Sequence, residues 1–439
     1  MRTLGRIGLA VALGFCATAA PRSTWAGPGK PALPPEWKYV VEDDDEAAAK
    51  RLPTLLKKYD TPAKCVELVK LLRGKHAYPT GLPDTATLEH PCSDGKSRQF
   101  TYVLPKKYAS SKPAGVLVFL HGAVSQPPPG GGAGEARLFG PAVERLGLIV
   151  VGPSTYSKVE WADPACRELV QFALEHVKAN FAVDENRVFL AGDSDGGRGA
   201  YAMAETAMTF FAAAVPVIGS PGGVRRYANF RNLAWLAFNG DQDSIFKIDG
   251  VRQQVDGMKA SGIDLTWRLI EGAGHDPYLF VKHKDEICDF LEKHPRDPFP
   301  KVVHLEVDPS KEGYEAGFPA NTMRWVRVES LGGSDADATF DDAGTGLLDG
   351  GLARLRAKRE GNRIDLETRG IKSVAVLLSD AMVDLSKEVE IHANGKEVHR
   401  GRVESDAKTI LEEARRFRDR SLVFQARVVI DLQAAPSRE

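Results

Sequence analysis

Residues 188–201 read VFLAGDSDGGRGAY: a β-prone apolar segment runs into G-x-S-x-G-G and then into helix-forming sequence. A strand, a turn with glycines at Gly192 and Gly196, and a helix together hold a serine above the end of a sheet. There the dipole of the following helix favours developing negative charge. Ser194 in this setting is a candidate nucleophile. In a chain with this glycine content the bare pattern arises about 0.2 times by chance, so the flanking elements and the partner residues must carry the assignment.

The partners are present in a consistent order. Val116 to Leu120 ends in His121-Gly122-Ala123-Val124, a strand-to-loop signal at which backbone N–H groups can face an oxyanion, and the N–H of Asp195 is the second expected donor. His121 is read as a brace for that loop rather than as a proton carrier. Downstream, Leu233 to Phe238 leads into Asn239-Gly240-Asp241-Gln242-Asp243, and Leu265 to Ile270 leads into Glu271-Gly272-Ala273-Gly274-His275. A serine, an acid and a histidine, each just past the carboxyl end of a strand, suit nucleophilic acyl transfer. Asp241 and Asp243 share the acid loop. Asp243 is preferred because it follows glycine at G-x-x-D spacing and precedes the apolar Ile245-Phe246, which leaves Asp241 to orient the loop. His275 is the only histidine in its loop, with His283 as the fallback.

These residues need a particular scaffold. From about Gln99, short β-prone segments alternate with helical stretches such as Pro164 to Asn180, Arg198 to Met208 and Asp285 to Lys293, which predicts a mostly parallel sheet covered on both faces. Before it lies a Gly/Pro-rich arm and a helical prefix. In the prefix, the acidic run Asp43 to Glu46 starts one helix and Thr61-Pro62 caps the next. After it, the composition shifts: of 27 prolines, 24 fall in the first 300 residues, and Pro295, Pro298 and Pro300 read as a linker. Eight strand-like segments follow from Val302 to Leu432, interrupted by one helix from Lys408 to Phe417, with Asn394-Gly395 as a hairpin turn. The expected division is a signal peptide (1–26), an arm and helical prefix (27–95), a catalytic α/β domain (96–297) and a β-rich, sandwich-like domain (301–435).

Over residues 96–296 the chain resembles the α/β-hydrolase superfamily, within it the secreted esterases related to polyhydroxybutyrate depolymerases, feruloyl esterases and dienelactone-hydrolase-like proteins. The resemblance rests on His121-Gly122, the Ser194 elbow, Asp243 and His275. Asp193 and Asp195 depart from the small or aromatic residues often found beside the nucleophile. The resemblance implies a doubly wound sheet and a two-step acyl transfer. Ser194 would be the nucleophile, His275 the base, Asp243 its orienting acid, and the Ala123 and Asp195 N–H groups the oxyanion donors. It calls for no metal or organic cofactor. The C-terminal segment resembles domains appended to such esterases.

Composition narrows the rest. With 58 Lys+Arg against 59 Asp+Glu, the formal charge of −1 gives no field to draw the chain to nucleic acid. Arg2 and Arg6 precede an apolar run from Ile7 to Ala20, followed by Ala26. This is the layout of a secretory signal, so a secreted or periplasmic protein without stable membrane insertion is expected. Cys65, Cys92, Cys166 and Cys288 then remain, either as one of three disulfide pairings or as buried thiols. No CxxC or HExxH spacing occurs.

The connection Gly219 to Asn232 is too short for a large cap, so an open cleft is expected, suited to short-acyl, aryl or polymer-linked esters. The loop Ser125 to Gly134 would wall it, and Trp161 is either a substrate platform or a core residue. A serine peptidase and a non-catalytic extracellular binding protein are the competing readings. Only six aromatics in the last 139 residues argue against sugar binding there.

Overall fold

The computed structural model describes residues 33–125, 140–156, 158, 160–309, 318–332 and 351–432. The expected signal segment and residues 126–134 of the expected wall loop lie outside them. Among the described residues, no helix is long and apolar enough to cross a membrane.

Three helices come first: α1 (Pro35–Val40), α2 (Asp45–Lys58) and α3 (Pro62–Arg73). Asp44 caps α2 by accepting from the N–H groups of Glu46 (2.9 Å) and Ala47 (3.1 Å), and Thr61 caps α3. Then β1 (Thr85–Pro91), β2 (Ser97–Val103), β3 (Ala114–Leu120), α4 (Gly140–Leu146), β4 (Leu148–Pro153), α5 (Pro164–Asn180) and β5 (Val183–Asp193) build one half of the main sheet. The other half comprises α6 (Asp195–Ala207), β6 (Ala213–Val217), β7 (Ala234–Gly240), α7 (Ile248–Ala260), β8 (Leu265–Ile270), α8 (Leu279–Lys282) and α9 (Lys284–Lys293). The strand order is β1-β2-β4-β3-β5-β6-β7-β8, and the strands from β4 onward in that order pair in parallel.

Strand β3 is buried throughout. Val116, Val118 and Leu120 point into the core under α5, α6 and α7, and Leu117 and Phe119 into the core under α4 and α9. A strand covered on both faces is continuously apolar, which is why the AGVLVFL run is legible as a central strand. The sheet begins earlier than expected, because β1 pairs with β2 from Thr85↔Val103 to Pro91↔Ser97. The expected boundary between residues 95 and 96 therefore cuts a hairpin. Strand β1 escapes notice because it is an edge strand whose residues are mostly exposed or half-buried, so its sequence, TATLEHP, lacks the apolar run of its neighbours.

Past residue 300 come β9 (Val302–Val307), β10 (Thr322–Met323), β11 (Val326–Leu331), β12 (Ala353–Glu360), β13 (Arg363–Arg369), β14 (Ile371–Leu378), β15 (Glu388–Ala393), β16 (Lys396–Arg402), α10 (Ala407–Phe417) and β17 (Ala426–Asp431). They form two sheets, ordered β10-β11-β14-β17 and β16-β15-β13-β12-β9. Asn394 and Gly395, both at positive φ (48° and 79°), make the tight turn between β15 and β16. Leu355, Ile364 and Ile391 of one sheet and Val326, Val374 and Val376 of the other share a core that also takes in residues under the main sheet.

The helical prefix is not a unit of its own. Trp37, Leu68 and Leu72 pack with Ile410, Leu411 and Ala414 of α10. Arg415 and Arg418 of that region pair with Asp45 and Asp43 at 2.7 Å each. The stretch expected as a linker is likewise anchored, by the buried Arg296 and Phe299. The Arg296 guanidinium, with no exposed surface, lies 2.7 Å from Asp419, itself beside Lys178 (3.5 Å), and donates to the Thr209 carbonyl at 3.0 Å. Burial alone would raise the Asp419 carboxyl, but Arg296 and Lys178 outweigh it and hold the group well below the usual carboxylate range. Burial, and then Asp419 itself, pushes the neighbouring Glu185 carboxyl up. A linker that ends in a paired buried charge behaves as a clamp and not as a tether.

Arg296→Met removes the main counter-charge of a buried carboxylate, and we expect a loss of about 3–5 kcal/mol in chemical denaturation; a midpoint within error of wild type would contradict the clamp. His76 supplies a pH test. It is wedged between the rings of Trp37 (4.6 Å) and Tyr78 (4.4 Å), and burial pushes its pKa from 6.5 down to about 4. Between those two values the unfolded chain binds a proton that the folded chain refuses, so stability is present above about 6.5 and falls as pH drops towards about 4. His76→Gln should flatten Tm against pH across that window, and an unchanged slope would count against this assignment.

Candidate active site

The site lies at the carboxyl ends of β3, β5, β7 and β8. Strands β4 and β5 flank β3 on opposite sides, so the chain leaves the sheet in opposite directions around this point, and the crevice at such a switch point is where open α/β sheets bind ligands. Ser194 joins β5 to α6 at φ 52° and ψ −117°, a conformation that costs a non-glycine residue about 1–3 kcal/mol. Its N–H donates to the Val217 carbonyl at 3.0 Å, and its carbonyl accepts from Arg198 N–H at 3.0 Å, so the strained residue is held from both sides.

Two glycines make this turn possible. A Cβ at Gly196 would stand 1.8 Å from the Leu120 carbonyl oxygen, and one at Gly192 would stand 2.3 Å from the Gly196 carbonyl oxygen. Backbone therefore touches backbone where α6 leaves the sheet, and any side chain would separate the helix from β3.

Ser194 Oγ lies 2.8 Å from His275 Nε2, and His275 Nδ1 lies 2.8 Å from Asp243 Oδ2. Asp243 is buried, and its second oxygen accepts from the N–H groups of Ile245 (2.8 Å) and Phe246 (2.9 Å). The carboxylate is thus fixed by the loop it opens, and the Phe246 ring covers His275 at 5.7 Å. Asp241 accepts from Gly272 N–H at 2.8 Å, which joins the acid loop to the histidine loop. His283 stands apart with its ring against Phe238, 4.9 Å away.

The loop after β3 is braced from several sides. His121 is fully buried, its Nδ1 2.6 Å from the Gly122 carbonyl and its Nε2 accepting from Thr155 N–H at 3.1 Å. Trp161 donates to the His121 carbonyl at 3.0 Å and is only 1% exposed, so it is a core brace and not a substrate platform. Gly122 abuts the elbow, since a Cβ there would stand 3.1 Å from Ser194 Cβ. Ala123 is exposed at φ 50°, and the next N–H, that of Val124, donates to the Asp195 carboxylate at 3.1 Å. That side-chain contact is invisible in the motif. Its one sequence signal is an acid directly after the serine.

A chain running from carboxylate through imidazole to hydroxyl can move the Ser194 proton to His275 while Asp243 compensates the resulting charge. Cys65, Cys92, Cys166 and Cys288 are all buried thiols, and burial pushes Cys166 up to about 11, so none is primed as a nucleophile. Among the described residues, Glu390, His392 and Glu397 could by proximity hold a metal ion. They lie on the C-terminal sheet, and Arg363 and Arg400 already pair with Glu390 at 3.1 and 3.0 Å.

No protein-family model matches the chain, and no curated protein does. Solved structures do. A thermostable esterase aligns over 48% of this chain and 64% of its own length, at 17% identity and a TM-score of 0.42. An S-formylglutathione hydrolase from Agrobacterium tumefaciens aligns over 48% and 95%, at 18% identity and 0.41. LpqC, a poly(3-hydroxybutyrate) depolymerase from Bordetella parapertussis, aligns over 49% and 93%, at 15% identity and 0.40. This chain thus spans about two thirds of the first of these proteins, and about half of this chain is matched in each case. The strand order and the strand-turn-helix elbow are those of an α/β-hydrolase fold.

Gly196→Ala tests the backbone contact on which the elbow rests. With a Cβ 1.8 Å from a carbonyl oxygen the helix must move, and a loss of about 3 kcal/mol or more is expected. A variant that melts with wild type would contradict it.

Proposed function

We propose that this protein is a serine hydrolase that cleaves carboxylic esters through an acyl-enzyme. The observation that carries the reading is the pair of 2.8 Å contacts running from Ser194 through His275 to Asp243. Ser194 Oγ attacks the ester carbonyl as His275 Nε2 takes its proton. The tetrahedral oxyanion is met by the backbone N–H groups of Ala123 and Asp195, the latter at the N-terminus of α6. Collapse expels the alcohol, which receives the proton from His275, and a water activated by the same imidazole releases the acid.

The surroundings favour small, apolar or aryl esters at an accessible site. The connection after β6 holds only a 3₁₀ turn, Tyr227–Asn232, which packs on β9 of the C-terminal sheet through hydrogen bonds between Asn229 and Glu306 and between Asn232 and His304. Ile245 (64% exposed) follows Asp243, and Tyr278 (59% exposed) follows His275, so the two loops bearing the acid and the base also offer apolar side chains to a ligand. The signal-like N-terminus supports secretion or export to the periplasm, where polymer-linked esters would be accessible.

Purified protein assayed on p-nitrophenyl acetate, p-nitrophenyl butyrate and feruloyl esters should turn over at least one, with no cleavage of peptides; cleavage of peptides without esters would favour a peptidase of the same fold. Ser194→Ala should lower kcat by about 10³-fold or more, and Asp243→Asn by about 10⁴-fold at neutral pH. A fluorophosphonate probe should label Ser194. Retained ester turnover in Ser194→Ala would overturn the assignment.

A further inference from the structure

We propose that the Asp195 carboxylate is a positioning group for the oxyanion site, so that one residue supplies one donor by its N–H and, together with His121, steadies the loop that bears the other. This rests on the serine-hydrolase reading above and concerns a side chain which that reading leaves without a role.

Asp195 is the first residue of α6, and its N–H is among the helix-terminal donors without an intrahelical acceptor. Its carboxylate reaches across to the loop after β3 and accepts from Val124 N–H at 3.1 Å. Val124 is held at two further points, since its carbonyl accepts from Lys158 N–H at 3.1 Å and its side chain is buried. The peptide unit joining Ala123 to Val124 is rigid, so pinning Val124 N–H also fixes the carbonyl end of Ala123. That matters because Ala123 sits at φ 50°, which an alanine leaves at the first opportunity. The Ala123 N–H belongs to the preceding peptide unit, whose Gly122 carbonyl is held 2.6 Å from His121 Nδ1. With the following unit held by the Asp195 carboxylate, the two planes cannot turn to relieve the φ between them, and the Ala123 N–H keeps its direction.

The design carries an electrostatic liability. A carboxylate close to a developing oxyanion repels it, and the Val124 N–H and the α6 N-terminus are the groups that offset its charge. An acceptor oxygen without the charge therefore preserves the positioning. A helix-start acid acting only through the dipole predicts the reverse, because it needs the charge and not the acceptor.

The test measures kcat, KM and the rate of fluorophosphonate labelling on p-nitrophenyl butyrate for wild type, Asp195→Ala and Asp195→Asn, with melting curves as controls. Displacement of a donor on this scale costs about 100-fold, so Asp195→Ala should lose about 30–100-fold in kcat and in labelling rate with KM nearly unchanged. Asp195→Asn should recover kcat to within about fivefold of wild type, since its amide oxygen still accepts from Val124. Undiminished kcat in a folded Asp195→Ala overturns the inference, as does a folded Asp195→Asn that is no better than Asp195→Ala. If Asp195→Ala does not fold, Asp195→Asn against wild type decides: a loss beyond about 30-fold refutes the positioning role. Failure of the underlying reading looks different, because wild type itself would then neither label nor turn over ester.

Discussion

The contact between Gly196 and the Leu120 carbonyl governs the arrangement of the site. Helix α6 can leave β5 at the required angle only if its first turn lies against the end of β3, and that approach is closer than any side chain permits. The tight turn forces Ser194 to positive φ, which lifts its hydroxyl off the sheet, and the same approach brings the loop after β3 beside the start of α6. The placement of the hydroxyl, the helix N-terminus and the loop after β3 thus follows from one packing constraint. The histidine and acid loops then need only reach it, and the bond between Asp241 and Gly272 holds those two loops to each other.

The rest of the molecule supports the back of this scaffold. The two C-terminal sheets share a core with residues under α5, α6 and α7, and β9 is bonded through Glu306 and His304 to the 3₁₀ turn after β6. The connection after β6 is thus a seat for another part of the same chain. The junction is sealed by buried charges, Arg296 and Lys178 against Asp419, while Arg327 against Glu413, a two-point contact at 2.7 and 3.0 Å, ties β11 to α10 within the C-terminal part. Such pairs add little net stability over an apolar core, but each strongly penalises any arrangement that leaves one partner alone, and so they specify how the pieces dock.

Local chemistry made much of this legible in the sequence. The all-apolar run of β3, the glycines of the elbow, the Thr61-Pro62 cap and the Asn394-Gly395 turn each encode their conformation within a few residues. The meeting of Ser194, His275 and Asp243 was foreseeable because each follows a strand of the same sheet. Trp161 was not assignable, since whether an indole lies under a loop or in a cleft depends on what packs over it. The extent of the main sheet was missed at β1, whose exposed edge position removes the apolar pattern that marks its neighbours.

By itself, then, the sequence determined the kinds of elements, the order of the chemical groups along the chain and the charge balance, because these follow from side-chain shape and short-range backbone preference. Tertiary structure alone decided the contacts between residues far apart in the chain: α10 packed against α1 to α3, Arg296 clamped on Asp419, and Asp195 turned from an oddity of the motif into a hydrogen-bond partner of Val124. The reason is physical. A hydrogen bond or ion pair across the fold depends on distances that only the closed core sets, and no local spacing records them.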